Sequence, residues 1–179
     1  MTRVAKTALG MAVMGGLLFG AASAVGAATP AGGTVKIFAS PNTSGTGETF
    51  VVTGAIADYG KTVRVNSAGK PDKNGVYTQI VGKQGTVLLD GTQFQAALNA
   101  AQPTDFDTVT CSGSLVASAP DRIVSGTKLY SGISGSVDVT GTVAFILPRT
   151  KSGQCDLSGN ATVVAHWGSI TGSGTVSFS

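Results

Sequence analysis

Charged side chains are scarce in this chain: of 179 residues, 12 are Lys or Arg and 9 are Asp or Glu. No run of Lys or Arg makes the electrostatic footprint that nucleic acid or an anionic membrane requires, so both are poor candidates as partners. Histidine occurs once, at His166, and glutamate once, at Glu48. Acid–base catalysis needs a positioned base with an orienting partner, and one His among scattered Ser and Asp is a weak basis for a triad. The chain has no G-x-S-x-G elbow, Walker loop, dinucleotide fingerprint or RTX-type calcium repeat. Two Cys and His166 are too few ligands for a metal at any familiar spacing. No metal and no cofactor is therefore expected. Asp105 and Asp107, flanking Phe106, read as a solvated loop rather than a calcium site.

Long apolar runs are missing after residue 28. Before it, Arg3 and Lys6 precede the apolar stretch Ala8 to Phe19, and small residues follow from Ala21 to Ala28. A positive start, a short apolar centre and a small-residue exit make a secretory signal peptide over 1–28, with cleavage after Ala24 or Ala28. The centre is shorter than the roughly 20 residues that cross a bilayer, and no later segment is apolar enough to span. The expected location is extracellular or in the cell envelope. Loss of Arg3 and Lys6 leaves ten bases against nine acids, so the basic pI says little about the mature protein. About 150 residues remain, the size of one domain. Cys111 and Cys155, the only cysteines, are expected to form a disulfide in that compartment.

The mature sequence is rich in Gly, with 26 residues, and alternates at period two. Residues 29–47 read as a flexible N-terminal segment holding one short strand, Thr34 to Ala39, and 48–179 as a single β domain. Phe50, Val52 and Ile56 share a face, and Asp58-Tyr59-Gly60 suggests a tight turn into Thr62 to Asn66. Lys70 to Gly75 is a second turn, followed by strands over Val76 to Val81 and Gly85 to Leu89. Asp90 to Ala101 is the one helix, with Asp90 or Thr92 as its cap and Pro103 as its stop. Strands over Thr108 to Val116, Arg122 to Val124, Ser136 to Leu147, Thr162 to Trp167 and Ile170 to Ser179 complete the set. The clearest alternation is at Val137, Val139, Val143, Phe145 and Leu147. Eight to ten short strands and at most one short helix predict an all-β fold. Strand glycines favour an antiparallel barrel of about eight strands, with a β-sandwich as the alternative.

The stretch Val124 to Gly135 (Val-Ser-Gly-Thr-Lys-Leu-Tyr-Ser-Gly-Ile-Ser-Gly) resembles the pattern S-G-T-G-x-Y-x-G-I-x-G of bacterial exported proteins of the allene oxide cyclase and dirigent barrel type. Tyr130, Gly132 and Gly135 match, and Lys128 stands where a glycine is usual. The resemblance covers residues 108–147. It implies that the glycines turn the chain between strands and that the aromatic plugs the barrel end. Plant members cyclise an allene oxide or guide radical coupling in an apolar cavity. No catalytic residue of theirs can be carried over, so only the fold is implied.

The candidate ligand-binding residues are Tyr130, Asp138 and Trp167. Tyr130 would wall a cavity. Asp138 points to solvent if the Val137 face is the core, and into the lumen beside Thr140 and Thr142 if the lumen is polar. Trp167 reads as core or cavity wall, with Val163 and Ala165 on its side and His166 facing out. The function expected is non-enzymatic binding of an apolar small molecule in the lumen, or of an envelope component at the rim. The alternatives are a cyclase, isomerase or dirigent-like protein acting in the cavity, and a structural or adhesive protein presenting the Ser/Thr face of its last strand.

Overall fold

The computed structural model describes residues 30–41, 48–158 and 161–179. The signal-like segment 1–28 lies outside them, as does most of the Gly/Ser-rich stretch before Glu48. The described chain forms eight strands: β1 (Gly33–Pro41), β2 (Glu48–Gly54), β3 (Asp58–Val65), β4 (Tyr77–Gly82), β5 (Thr86–Asp90), β6 (Ser112–Gly126), β7 (Ile133–Ile146) and β8 (Ala165–Phe178). Each pairs antiparallel with its sequence neighbours, and β1 pairs with β8, so the sheet closes into a barrel. Closure leaves no edge around the barrel body, which suits a chain so poor in charges. One helix, α1 (Thr92–Ala100), joins β5 to β6.

Several sequence expectations shift. The strand at 33–41 is a full stave bonded on both sides, so the barrel starts before residue 48. The turn between β2 and β3 falls at 55–57, and Asp58-Tyr59-Gly60 opens β3 instead of turning. The two candidate strands at 108–116 and 122–124 are one 15-residue strand, β6, which runs through Pro120. The carbonyls of Ser112 and Ser114 accept bonds from Asp107 and Thr104, on the side away from β7. By strand parity the missing N–H of Pro120 faces that same side, beyond Asp90 at the end of β5, where no ladder bond is lost. The two candidates at 162–167 and 170–179 likewise merge into β8. The helix makes no side-chain cap at Gly91; Asp90 instead accepts from the N–H and hydroxyl of Thr92.

The alternating apolar residues face inward. Val35, Ile37, Phe50, Val52, Ile80, Val87, Leu89, Ile123, Val137, Val139 and Val176 form one buried cluster. Each such side chain contributes about 1.5–3 kcal/mol on leaving water. They fill the barrel: the lumen keeps a cavity of only about 30 Å³, room for about one water. The outward positions of β8 carry Thr171, Ser173, Thr175 and Ser177, all exposed.

The two ends differ. At the closed end, Ile56, Tyr130 and Ile133 plug the barrel between the β2–β3 turn and the 3₁₀ turn Lys128–Tyr130. At the other end β6, β7 and β8 run past the remaining strands, with Ser112–Ala117 opposite Gly141–Ile146. There Phe94 of α1 lies against Gly141, where a Cβ would come within 2.6 Å of the ring. Phe94 thus separates the packed core at Val139 from the open inner face at Val143.

Lys128 takes φ +54, in the left-handed region that costs a side-chain-bearing residue about 1 kcal/mol. Lys128→Gly is expected to raise stability by about 0.5–1 kcal/mol, read as a higher urea midpoint at unchanged slope.

Candidate functional site

Past Phe94, the inner faces of β6, β7 and β8 continue as a three-stranded apron. Leu115, Val143, Phe145 and His166 project from it, with His166 opposite Phe145 in the β7–β8 register. Two connections fold over this apron. The 101–111 segment brings Pro103 and Phe106, whose ring stacks on Phe145 with centroids 6.4 Å apart. The connection from β7 to β8 brings Leu147, Leu157 and Val163. Between them lies a cleft of about 730 Å³. Its few polar side chains are Gln102, Asp156, Ser158 and His166. Hydrogen bonding from Ser158, by its hydroxyl and its N–H, holds the Asp156 carboxyl below the usual range. The cleft is therefore apolar with one ionised acid at its rim.

The disulfide builds this site. Cys111 and Cys155 are bonded, with Cα atoms 5.3 Å apart. Cys111 sits at the foot of β6 and Cys155 just ahead of Asp156, Leu157 and Ser158, so the bond pins one cleft wall to the other. Arg149 adds to the staple by donating to the carbonyls of Val109 and Gly153. Asp107 accepts from the N–H groups of Val109 and Thr110 and sets the turn before Cys111. A disulfide of this kind fits an oxidising compartment.

The three candidates drawn from the sequence do not meet. Tyr130 is buried at the closed end. Asp138 is exposed on the outer wall, opposite Pro120 and Ser173, as the Val137 core face requires. Trp167 is 59% exposed on the outer face of the apron, the reverse of its expected inward direction. His166 takes the inner face in its place. The parity of the continuous strand decides this: Val176 and Ile170 point inward, and 168 and 166 follow.

Sequence reasoning missed the partner of Tyr130. Its hydroxyl donates to Oδ2 of Asp58 at 2.7 Å, across 72 residues of chain. Asp58 is buried, and its other donors are the N–H groups of Tyr59 and Lys83 on Oδ1 and of Gln84 on Oδ2. The four donors occupy the about four lone-pair sites a carboxylate offers. Burial opposes the charge on Asp58, but the bonds from Tyr130, Gln84, Tyr59 and Lys83 outweigh it and hold the carboxyl below its ordinary value. Burial first, then the bond to Asp58 and its charge, push the Tyr130 hydroxyl well up. A Cβ at position 82 would fall 2.1 Å from Oδ2, so only glycine fits beside this clamp. With four donors on its carboxylate, Asp58 is held ionised, and the pair is a structural lock.

A second buried acid is unlike the first. Asp121 projects inward from β6 beside Gly91, and its Oδ1 has no hydrogen-bond partner. Burial, and then the charge of Asp90, push its pKa up to about 7. Among the described residues no three His, Cys, Asp or Glu side chains come together to hold a metal, and no helix is long and apolar enough to cross a membrane. Compared with protein-family models, with curated proteins and with solved structures, the chain matches none.

Proposed function

We propose that this is an exported barrel protein that binds an apolar small molecule, without catalysis, in the disulfide-stapled cleft beyond the barrel mouth. The cleft volume carries this reading: about 730 Å³ lined mainly by Phe, Leu, Val and Pro lies within the roughly 300–1,000 Å³ of small-molecule sites. The lumen, at about 30 Å³, takes water at most. The polar rim suits a ligand with an apolar body and one polar end that reaches His166 or Ser158. The signal-like segment 1–28 and the disulfide support export to the cell surface or beyond. Two features support the likeness to allene oxide cyclase and dirigent-type barrels. Tyr130 plugs the closed end, and Lys128, standing where the pattern has glycine, has a positive φ.

Titration with a naphthylamine dye that fluoresces in apolar surroundings tests the site. Wild type is expected to bind it. Leu157→Asp, at an exposed position in the cleft wall, and Val143→Trp, which fills the floor, are each expected to weaken binding about tenfold, the equivalent of roughly 1.4 kcal/mol. Equal binding by all three proteins would place the dye elsewhere and sink the proposal. Native mass spectrometry of protein from its own secreting cells would then show the mass of any natural ligand.

A further inference from the structure

The sequence shows no basic cluster, yet the barrel register brings three lysines to one wall, around an apolar row. On the outer wall Phe38 of β1 pairs with Val51 of β2, and Val51 pairs with Tyr59 of β3. These three form a continuous apolar row, at 49%, 49% and 59% exposure. Adjacent strands are about 4.8 Å apart, so the row spans about 10 Å. Lys36 lies one outward position from Phe38 on β1, and Lys61 one outward position from Tyr59 on β3, towards the other end of the barrel. Lys83 sits over the Tyr59 ring, with its Nζ 5.7 Å from the centroid. The other outward positions of β1 and β2 are Thr and Ser: Thr34, Ser40, Thr49 and Thr53. No carboxylate points outward from β1, β2 or β3, because Asp58 is buried and Glu48 has the inward parity of Phe50 and Val52. The nearest acid on the outer wall is Asp138, a full strand beyond Lys36, since Ser173 of β8 lies between them.

We propose that this wall rests on an anionic lipid surface. Exposed Phe and Val give apolar side chains that enter the headgroup boundary. Tyr suits the same depth, and lysines with long stems reach the phosphates. Each Lys near an anionic leaflet adds about fivefold in affinity. A glycan site would present flat aromatics with polar partners between them, whereas this row has an aliphatic Val at its centre and no carboxylate or amide side chain in it. The barrel would lie on the membrane and not across it, because its inward face, not its outward face, is the apolar one. The proposal stands apart from the cleft, which opens at the mouth.

The test is co-sedimentation of the whole chain with vesicles of equal parts phosphatidylglycerol and phosphatidylcholine, against phosphatidylcholine alone. Any contribution of residues 1–28 is common to wild type and variants. Wild type is expected to prefer the anionic vesicles and to lose that preference in high salt. Lys36→Gln/Lys61→Gln/Lys83→Gln is expected to weaken binding about 100-fold, and Phe38→Ser/Val51→Thr about tenfold. Phe38→Trp in a Trp167→Phe background is expected to be quenched by brominated lipids, while Trp167 of wild type is not. That readout needs only a folded, bound protein. No anionic preference in wild type would overturn the proposal. So would lysine-dependent displacement by a soluble anionic polysaccharide with no effect of Phe38→Ser/Val51→Thr. A dimer in ultracentrifugation that Phe38→Ser dissociates would instead assign the wall to a second copy.

Discussion

Asp58→Ala is expected to remove about 4 kcal/mol of stability, because it strips four donors of one buried acceptor and each buried orphan costs about 1–3 kcal/mol. The melting temperature is expected to fall by roughly 10 °C. Tyr130→Phe removes one donor and is expected to cost only about 1–2 kcal/mol. The double variant should lose less than the two single losses summed, since the pair shares a bond. The effect has a pH signature. The carboxyl of Asp58 sits below its ordinary value in the folded protein, so its contribution is complete above about pH 4, the unfolded value. It drains away as pH falls through the lower folded value. In Asp58→Ala that acid-side loss should vanish, leaving a flatter profile in denaturant titrations below pH 4. An unchanged melting temperature would mean that the clamp does not hold the closed end.

Asp121→Asn is expected to do the opposite and stabilise the protein at pH 8. The neutral acid fits its pocket, and asparagine stands in for that neutral form. The folded pKa of about 7 exceeds the ordinary 3.8. Stability from this group is therefore full below about pH 4, declines as pH rises to about 7, and is flat above. The raised value corresponds to about 4 kcal/mol at most, taking 1.36 kcal/mol per unit. Asp121→Asn should match wild type near pH 4 and exceed it by about 2–4 kcal/mol at pH 8. The charged groups around it are few. Asp90 on β5 repels it and is itself paired with Arg122 at 3.6 Å. Helix α1 carries no charge, and Asp138 on β7 points outward. Salt should therefore shrink only the part due to Asp90. Urea midpoints of both proteins across pH 4–8 decide it; parallel curves would show that Asp121 does not titrate in this range. Asp58 needs pH above about 4 and Asp121 penalises higher pH, so wild type should be most stable in mild acid.

How much of this was legible in the sequence depended on whether alternation was continuous. Val137 and Val139 sit inward and Asp138 outward as the pattern of 136–147 implied, and the eight-strand closed barrel follows from such runs. Where inward positions are glycine the pattern fades. Gly168, Gly172 and Gly174 are inward in β8, so 162–179 read as two strands and Trp167 was put on the wrong face. Extending the parity of Ile170 and Val176 through them would have turned Trp167 out and His166 in. Turn-forming residues hid the rest. Pro120-Asp121 looked like a loop, though Ile123 two residues on sets Asp121 inward, and Asp58-Tyr59-Gly60 looked like a reversal. The Asp58–Tyr130 bond had no local signal, because it joins residues 72 apart. The cleft was hidden for the same reason, since its walls come from strands and two long connections that the disulfide and Arg149 bring together across the chain.

The join between the first strand and the last, Gly33 to Ala39 against Val176 to Ile170, bears on how the molecule comes into being. During synthesis β1 emerges earliest and must wait for almost the whole polypeptide before its second flank finds a mate. Until that moment both β1 and the growing end present bare strand flanks that attract other chains. Such distant pairing is slow to form, so the joining of the first and last staves should be the late and slow step of maturation.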